Sequence, residues 1–499
     1  MKNNILNIFI LSAVLLTACS KDFLEKTPTD VISEKDLAEV VSKDPNTLNS
    51  SVLGLYALMF APESGGTTGD DDFGQKSYDI SMDLLSTDMV MEGDNYGWFV
   101  AISRFQPTVD FTSNGSYMPW RYYYRVIRAA NSIIDILGGS DAILSDDASK
   151  HVMGQAKAMR AYAYFYLAQL YGKEGYGTGN ELLIPLYKSA TEADKPLSAS
   201  KDVYEFIIQD LRSAITNLET FSRSSKSQIS KSVAQGLLSY ALMARGTNAD
   251  WQEVVTLTND IITNSGHPLT TKGETAAIIQ GGVVTNPESG FNNLATPSWM
   301  WGTDLTAESN VALDSWWGHM DYYTYSYASS GDAKIISEDL YDAIPTDDIR
   351  KKQFHASALL PIYKLFDPAR VWDGQLPVTT DLLYMRVDEF YLLNAEANAN
   401  LGQDIAAINS LKKLVELRKD NVNYLSSLSG NALKNEIYFQ TRIELWGEGK
   451  IYLYNKRNKK TITVASNHLF NPGEVIPFNS QKITFSIPQN EILNNPNIN

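Results

Sequence analysis

Aromatic side chains are concentrated between Phe291 and Tyr327, in a stretch that is otherwise polar and rich in turn-forming residues. This segment has nine aromatic residues, whereas the 11% aromatic content of the whole chain predicts about four. Exposed planar rings can stack on sugars, because the polarised C–H groups of a sugar face meet the negative π cloud. The segment is therefore predicted to bind a ligand, although the same rings would also serve to pin the loop onto neighbouring helices. The candidate ligand-binding residues are Trp299, Trp301, Trp316, Trp317, Tyr322, Tyr323 and Tyr325.

A second candidate surface runs from Ser86 to Phe99 and mixes carboxylates, an amide and an indole. Asn95 and Trp98 are predicted to contact a ligand there, the amide by hydrogen bonding and the indole by stacking. The alternative interpretation of this stretch is a capped acidic loop that binds nothing.

The sequence has no recognisable catalytic or metal-binding pattern. It has no G-x-S-x-G elbow, no G-x-x-x-x-G-K-[ST] loop and no H-E-x-x-H pair. Its five histidines are far apart and its single cysteine cannot form a thiolate cage, which argues against a zinc site. The run Asp70-Asp71-Asp72 could contact calcium, but a solvated acidic turn is the favoured interpretation. We therefore predict no catalytic residue, no metal and no cofactor.

Composition and charge narrow the class of protein. With 44% apolar and 20% charged residues, the 499-residue chain has the composition of a globular protein with a core. Its 42 basic and 58 acidic residues give a net charge of −16, which repels a phosphate backbone. A nucleic acid partner is therefore not expected.

The first nineteen residues have the pattern of a secretory signal that ends in a lipid-accepting cysteine. Lys2 precedes an apolar run from Ile5 to Ala18, and residues 16–19 have the apolar, small, cysteine order of a bacterial lipobox. The run is too short to span a bilayer, which needs about 20 residues. We predict a signal peptide of residues 1–18 and lipidation of Cys19, whose acyl chains would attach the protein to a membrane.

Hydrophobic periodicity predicts helices that pair as hairpins. Between Met385 and Leu401 apolar residues repeat at three and four, Gly402 can end that helix, and Asp404 can cap a second one. Similar pairs are predicted at residues 233–245 with 251–263 and at 153–171 with 203–218. The pairs are similar to tetratricopeptide hairpins, but unrelated amphipathic helices in an all-α domain would give the same periodicity.

The helical pattern lapses between Gly266 and Ser330, where turn residues predict loop with short strands. A last irregular run begins at Thr461, with a short strand predicted at Lys482–Ile487. The predicted division is an N-terminal helical part at 19–265, an aromatic-rich loop subdomain at 266–330 and a C-terminal helical part at 331–499. The fold class is therefore all-α dominated, with an irregular subdomain as the candidate ligand site.

Motifs along the whole chain carry a family resemblance. They are Lys21 to Asp30 after the lipobox cysteine, Trp120 to Tyr124 with Ala130 to Ile134, Ala158 to Phe165 with Leu170 to Gly172, Arg386 to Leu401, Arg442 to Gly449, and Ile487 to Ile492 with Asn495 to Asn497. In this order they resemble the SusD/RagB family of outer-membrane nutrient-binding lipoproteins.

The resemblance implies tetratricopeptide-like hairpins around an irregular ligand-binding subdomain, forming a lid on a SusC-type TonB-dependent transporter at the cell surface. It implies binding of oligosaccharides or polysaccharides, such as starch, by aromatic residues and delivery to the transporter without cleavage. Arg442, Glu444 and Glu448 match positions that define the fold in this family. A peptide-binding member of the family is the alternative, and a surface glycosidase is a third hypothesis based on the carboxylate-rich, aromatic loops.

Overall fold

The computed structural model describes residues 44–323, 326–368 and 377–498, and helices dominate its regular structure. The helices are α1 Asn49–Ala57, α2 Gln75–Ser86, α3 Val100–Ser103, α4 Gln106–Val109, α5 Asn114–Ile136, α6 Asp147–Tyr171, α7 Ser200–Asn217, α8 Lys231–Arg245, α9 Asn248–Asn264, α10 Lys272–Thr275, α11 Trp316–Met320, α12 Glu338–Ala343, α13 Asp388–Asn400, α14 Asp404–Val415, α15 Gly430–Glu444, α16 Ile451–Arg457 and α17 Gln489–Asn494. The predicted all-α dominated fold class is confirmed.

The strands are short and pair antiparallel, two by two. They are β1 Met89–Met91, β2 Leu182–Ile184, β3 Ser198–Ala199, β4 Ile279–Gln280, β5 Val283–Val284, β6 Trp299–Thr303, β7 Lys334–Ile336, β8 Leu382–Arg386, β9 Ile462–Thr463 and β10 Val475–Ile476. The pairs are β1 with β7, β2 with β3, β4 with β5, β6 with β8, and β9 with β10.

The long helices form a continuous stack in which each packs on the next, in the order α5, α6, α7, α8, α9, α13 and α14. All three predicted hairpins are present in it, as α6 with α7, α8 with α9, and α13 with α14. Small residues permit the close contacts between helices. A Cβ at Gly236 of α8 would lie 2.5 Å from the ring of Phe390 in α13, so only glycine fits there.

Local sequence signals set the hairpin turns. Gly246 ends α8 at φ +69°, and Thr247 then caps α9 in a capping box with Asp250. Gly402 follows α13 at φ +73°, as predicted for a left-handed stop. Asp404 lies in the first turn of α14 instead of capping it, and its carboxylate accepts a hydrogen bond from the backbone N–H of Gly430 at 2.9 Å.

The segment from residue 266 to 330 consists of short elements tied to the helices by strand pairs. Strand β6 pairs with β8, which leads into α13, and β1 pairs with β7. Both pairs join parts of the chain that the predicted boundaries at 265 and 330 separate, and those boundaries stay predictions. The strand predicted at Lys482–Ile487 is wrong, because residues Gln481–Ile483 form a 3-10 helix that Ser480 caps.

A buried ionic network joins the C-terminal helices to β8. Glu444 accepts hydrogen bonds from Arg350, Arg386 and Arg418 at 2.8–3.0 Å. Glu448 accepts from Arg386 and from Lys364, each at 3.0 Å. The guanidinium groups hold the pKa of Glu444 well below its usual range, although burial alone would raise it. These residues are buried between helices, where they stabilise the fold and cannot contact a ligand.

Residues 1–43, including the predicted signal peptide and Cys19, lie outside the described part of the chain. Within the described ranges, no helix has the length and hydropathy that crossing a membrane requires.

Candidate ligand-binding cleft

A cleft of about 620 Å³ opens between the loop that precedes α2 and the N-terminal turns of α5. The loop contributes residues 66–71, the segment 97–102 forms the opposite wall, and residues 113–119 form the base. The loop is not a solvated turn. Asp72 is fully buried, and its carboxylate accepts hydrogen bonds from the backbone N–H groups of Gly65 and Thr67 at 2.6 and 2.9 Å. The expectation of a solvated acidic turn at Asp70-Asp71-Asp72 is therefore wrong, because the carboxylates organise their own loop.

Trp98 lines this cleft, half-buried, and is held in an aromatic group. Its ring contacts the ring of Tyr327 edge-on, with centroids 6.0 Å apart, and Tyr327 in turn contacts Tyr96 at 5.2 Å. We call these three residues, Tyr96, Trp98 and Tyr327, the aromatic lip. Tyr96 is 56% exposed. The indole lies against the loop, since a Cβ on Gly69 would lie 3.3 Å from its ring.

The aromatic lip rests on a buried layer that fixes its position. His319 of α11 stacks on Tyr327 with centroids 4.9 Å apart and an interplanar angle of 18°. Its Nε2 donates to the backbone carbonyl of Asp70 at 2.8 Å, and the Tyr327 hydroxyl donates to the Asp70 carboxylate. The rings of Phe73 and Phe99 pack on the same imidazole. His319 and Tyr327 thus tie the 70–73 loop to the 96–99 segment on one side of the cleft.

Burial shifts the pKa values of three ionisable groups around this wall. Burial raises the pKa of Asp71, the one carboxyl group among the described residues that line the cleft, to about 6. Burial lowers the pKa of Lys334 to about 8, and its Nζ donates to the Asp332 carbonyl at 2.9 Å. Burial, with a contribution from Lys334, also lowers the pKa of His319 well below its usual value. The imidazole is therefore neutral at pH 7, with its proton on Nε2.

Asn95, predicted as a ligand-binding residue, lies next to the aromatic lip. Its Nδ2 donates to the carbonyl of Ser330 at 3.0 Å and so links the 92–97 loop to the turn after Tyr327. The side chain is exposed. Of the predicted site residues that the structure describes, Trp98 is the one that lines this cleft, and Asn95 lies beside the aromatic lip.

The four tryptophans predicted as exposed binding surfaces are buried, with at most 4% of each side chain accessible, which corrects that expectation. Trp301 donates from Nε1 to the Ser227 carbonyl at 3.2 Å, and Trp317 donates to the Asp381 carbonyl at 3.3 Å. Lys76 lies over the ring of Trp316, 4.1 Å from its centroid. Trp299 is fully buried in β6. Their large apolar area is more stabilising in the core than at the surface, so they anchor the loop to the helices.

Two of the predicted tyrosines, Tyr322 and Tyr323, lie apart from the cleft lining. Tyr322 packs half-buried against a small apolar cluster around Val90. Tyr323 contacts Phe366 edge-on at 5.5 Å, and burial raises its pKa to about 12. Tyr325 lies outside the described residues. Within the parts of the chain that are described, no group of three or more His, Cys, Asp or Glu side chains is placed to hold a metal ion.

Sequence reasoning missed the polar part of the cleft. Thr67, Thr68, Asn114 and Tyr117 line it and offer hydroxyl, amide and phenol groups beside Trp98. The glycines Gly65 and Gly66 in the sequence indicate a loop, but no local pattern indicates that this loop would face α5.

A family model described as "Starch-binding associating with outer membrane" matches residues 74–243. A SusD-like protein of Bacteroides ovatus is 28% identical over 284 residues, 55% of this chain, and the chain spans only 46% of that relative. SusD-like protein P25 of Formosa agariphila is 23% identical over 492 residues, which cover 89% of this chain and 88% of the relative.

Solved structures share the fold. A SusD-like carbohydrate binding protein from Bacteroides vulgatus superposes with a TM-score of 0.73 at 23% identity, covering 91% of this chain and 97% of that one. Surface glycan-binding protein A from Bacteroides thetaiotaomicron gives a TM-score of 0.64 at 15% identity, covering 89% and 96%. The family model, the curated relatives and the common fold agree with the motifs found along the chain. The chain is thus similar to SusD-like proteins in sequence and has their fold, and these findings support the SusD-like family for it.

Proposed function

We propose that this protein captures an oligosaccharide in the cleft beside Trp98 and delivers it to a SusC-like outer-membrane transporter. The observation that carries the proposal is the half-buried indole of Trp98, which contacts Tyr327 and lies against Gly69 at a cleft lined by both apolar and polar groups. A ring face supplies contact with the C–H face of a sugar, and Thr67, Thr68 and Asn114 supply hydrogen bonds to its hydroxyl groups.

Capture without cleavage is supported by the number of carboxyl groups at the site. Hydrolysis of a glycosidic bond uses two carboxyl groups in most glycosidases, one on each side of the bond. Asp71 is the one carboxyl group that lines the cleft among the described residues. Asp70 and Asp72 are engaged by Tyr327 and by the loop backbone. We therefore propose a binding protein and no enzyme.

The experiment is a titration of the soluble, lipid-free chain from Ser20 to Asn499 against plant, host and microbial polysaccharides, with Trp98→Ala beside it. Trp251→Ala is the matched control, because Trp251 is also half-buried but lies on α9 outside this cleft. Saturable binding that is lost in Trp98→Ala and kept in Trp251→Ala supports the proposal. Binding that survives Trp98→Ala places the site elsewhere, reducing ends in the mixture indicate a glycosidase, and co-purified peptides indicate peptide uptake.

We also propose that Cys19 carries the lipid that anchors the protein in the outer membrane, with its body exposed at the cell surface. Labelled fatty acid should enter the wild-type protein and not Cys19→Ser. Protease added to intact cells should cleave the wild-type protein if it faces the exterior, and protection of the protein in intact cells would contradict that orientation.

A further inference from the structure

A second cleft of about 380 Å³ adjoins the first, and its wall carries a row of arginines. Arg121, Arg125 and Arg128 follow one another on α5 at spacings of four and three, so they lie on the same face of the helix. At about 1.5 Å of rise per residue, the row extends over roughly 10 Å. All three side chains are exposed. In a chain with a net charge of −16, this is a local concentration of positive charge.

The guanidinium charges of this row are not neutralised by carboxylates. Arg121 donates to the Tyr117 hydroxyl at 3.3 Å, and Arg125 donates to the carbonyls of Glu63 and Ser64 at 3.1 and 2.7 Å. Arg128 has no hydrogen bond or ion pair within the described ranges. Each arginine therefore keeps donors that a ligand anion can use.

Three carboxylates also line the second cleft, and two of them already have partners within the protein. Glu192 pairs with Lys195 at 2.6 Å, and Glu491 accepts hydrogen bonds from Trp120 Nε1 and from Asn495. Asp194 is exposed. Because both donors to Glu491 are neutral, its carboxylate keeps its charge, and the field in the cleft is set by three arginines against Asp194 and Glu491, an excess of one positive charge.

The two clefts are adjacent, since Tyr117 lines both of them. The Arg121 guanidinium packs directly on Gly66, whose φ is +81°, and Gly66 belongs to the loop wall of the first cleft. An extended chain that leaves the ring of Trp98 and passes Tyr117 therefore meets Arg121 first and Arg128 last. Tyr124 and Tyr187 add aromatic surface to the second cleft.

We infer that the arginine row is an anionic subsite and that the captured glycan carries carboxylate or sulfate groups. This inference rests on the proposed function and names its substrate class. Guanidinium groups bind carboxylate and sulfate oxygens with paired, charge-assisted hydrogen bonds, and successive arginines on one helix face can bind successive charged residues of a linear polymer.

The test compares oligogalacturonides with their methyl esters, which have the same backbone without the charge, and adds a sulfated galactan oligosaccharide. The mature chain should bind one of the anionic oligosaccharides at least about tenfold more tightly than the ester, with a preference that shrinks as salt rises. The tighter of the two anions identifies the ligand as a uronate or a sulfate.

Variants locate that preference on the arginine row. Arg128→Gln should reduce the preference without affecting the thermal melt, because Arg128 makes no internal contact, and Arg121→Gln/Arg128→Gln should abolish it. Asp194→Asn should strengthen anion binding, and Lys413→Gln, an exposed cation on α14, should have no effect. Equal affinity of the ester and both anionic oligosaccharides, or a preference that survives in the double variant, overturns the inference while leaving neutral glycan capture intact. Failure of these oligosaccharides to bind, together with failure of every polysaccharide in the panel above, overturns the proposed function as well.

Discussion

The imidazole Nε2 of His319 donates a hydrogen bond to the backbone carbonyl of Asp70 at 2.8 Å, across 249 positions of the chain. This contact joins α11 to the loop that forms the candidate cleft, and the same imidazole supports Tyr327 of the aromatic lip. The buried Nδ1 has no hydrogen-bond partner within the described ranges, so a second proton there would leave a charged and unpaired donor.

The His319 contact predicts weaker stability in acid. The pKa of His319 in the folded protein lies well below its usual value of 6.5, so the unfolded chain binds more protons below that pH. Stability should therefore be fully present above pH 6.5 and fall as the pH drops. His319→Gln should remove this part of the pH dependence, which urea unfolding between pH 5 and 8 measures. His151→Gln, at a half-exposed histidine on α6, is the control, and an unchanged profile in His319→Gln would contradict the assignment.

Asp71 predicts a pH dependence of the opposite sign. Its pKa is raised from 3.8 to about 6 in the folded protein, so the folded state binds the extra proton between these values. The stability it contributes is present below about pH 4 and is lost as the pH rises through about 6. Asp71→Asn should therefore match the wild type at pH 4 and exceed its free energy of unfolding at pH 7 by about 2 kcal/mol. Equal stability of the two proteins at pH 7 would show that the carboxyl group is not perturbed.

Two tryptophans that look alike in the sequence should respond differently to truncation. Trp98→Ala should weaken glycan affinity by tenfold or more, as hot-spot aromatics do, and should lower the melting temperature little because the ring is half-exposed. Trp317→Ala should cost about 3–5 kcal/mol of stability, because the ring is 1% exposed and its loss leaves a cavity. Calorimetry of binding and of unfolding on both variants distinguishes the roles. If Trp317→Ala lost affinity but kept the wild-type stability, Trp317 would be a binding residue and its assigned role in the core would be wrong.

Glu444 should act on folding and not on binding. Glu444→Gln leaves the charges of Arg350, Arg386 and Arg418 undercompensated in the core and should cost about 3–5 kcal/mol. Glu416→Gln, at an exposed position after α14, should cost almost nothing. Denaturant unfolding measures both changes. Because no atom of Glu444 lines the cleft, the fraction of Glu444→Gln that remains folded should bind glycan with the wild-type affinity.

The sequence alone was sufficient to predict the helical hairpins, because their signals are local. Periodic apolar residues, the glycine stops at Gly246 and Gly402 and the cap at Thr247 act within a few residues of the helix ends they determine. The motifs that resemble the SusD/RagB family lie mostly on these same helices, and the similarity to SusD-like proteins supports that resemblance. Trp98 was also predicted as a site residue, and it lines the cleft.

The roles of the other aromatic residues were decided only by the tertiary structure. A tryptophan in a polar segment is compatible with an exposed binding surface and with an anchor in the core, and the choice depends on which helices the segment meets. Trp299 and Trp317 meet β8 and its neighbours and are buried, whereas Trp98 meets the glycine-rich loop and keeps one face at a cleft. The aromatic lip exists because Tyr327 packs on Tyr96 and Trp98, which lie more than 200 positions earlier in the chain, and local sequence patterns contain no information about such contacts.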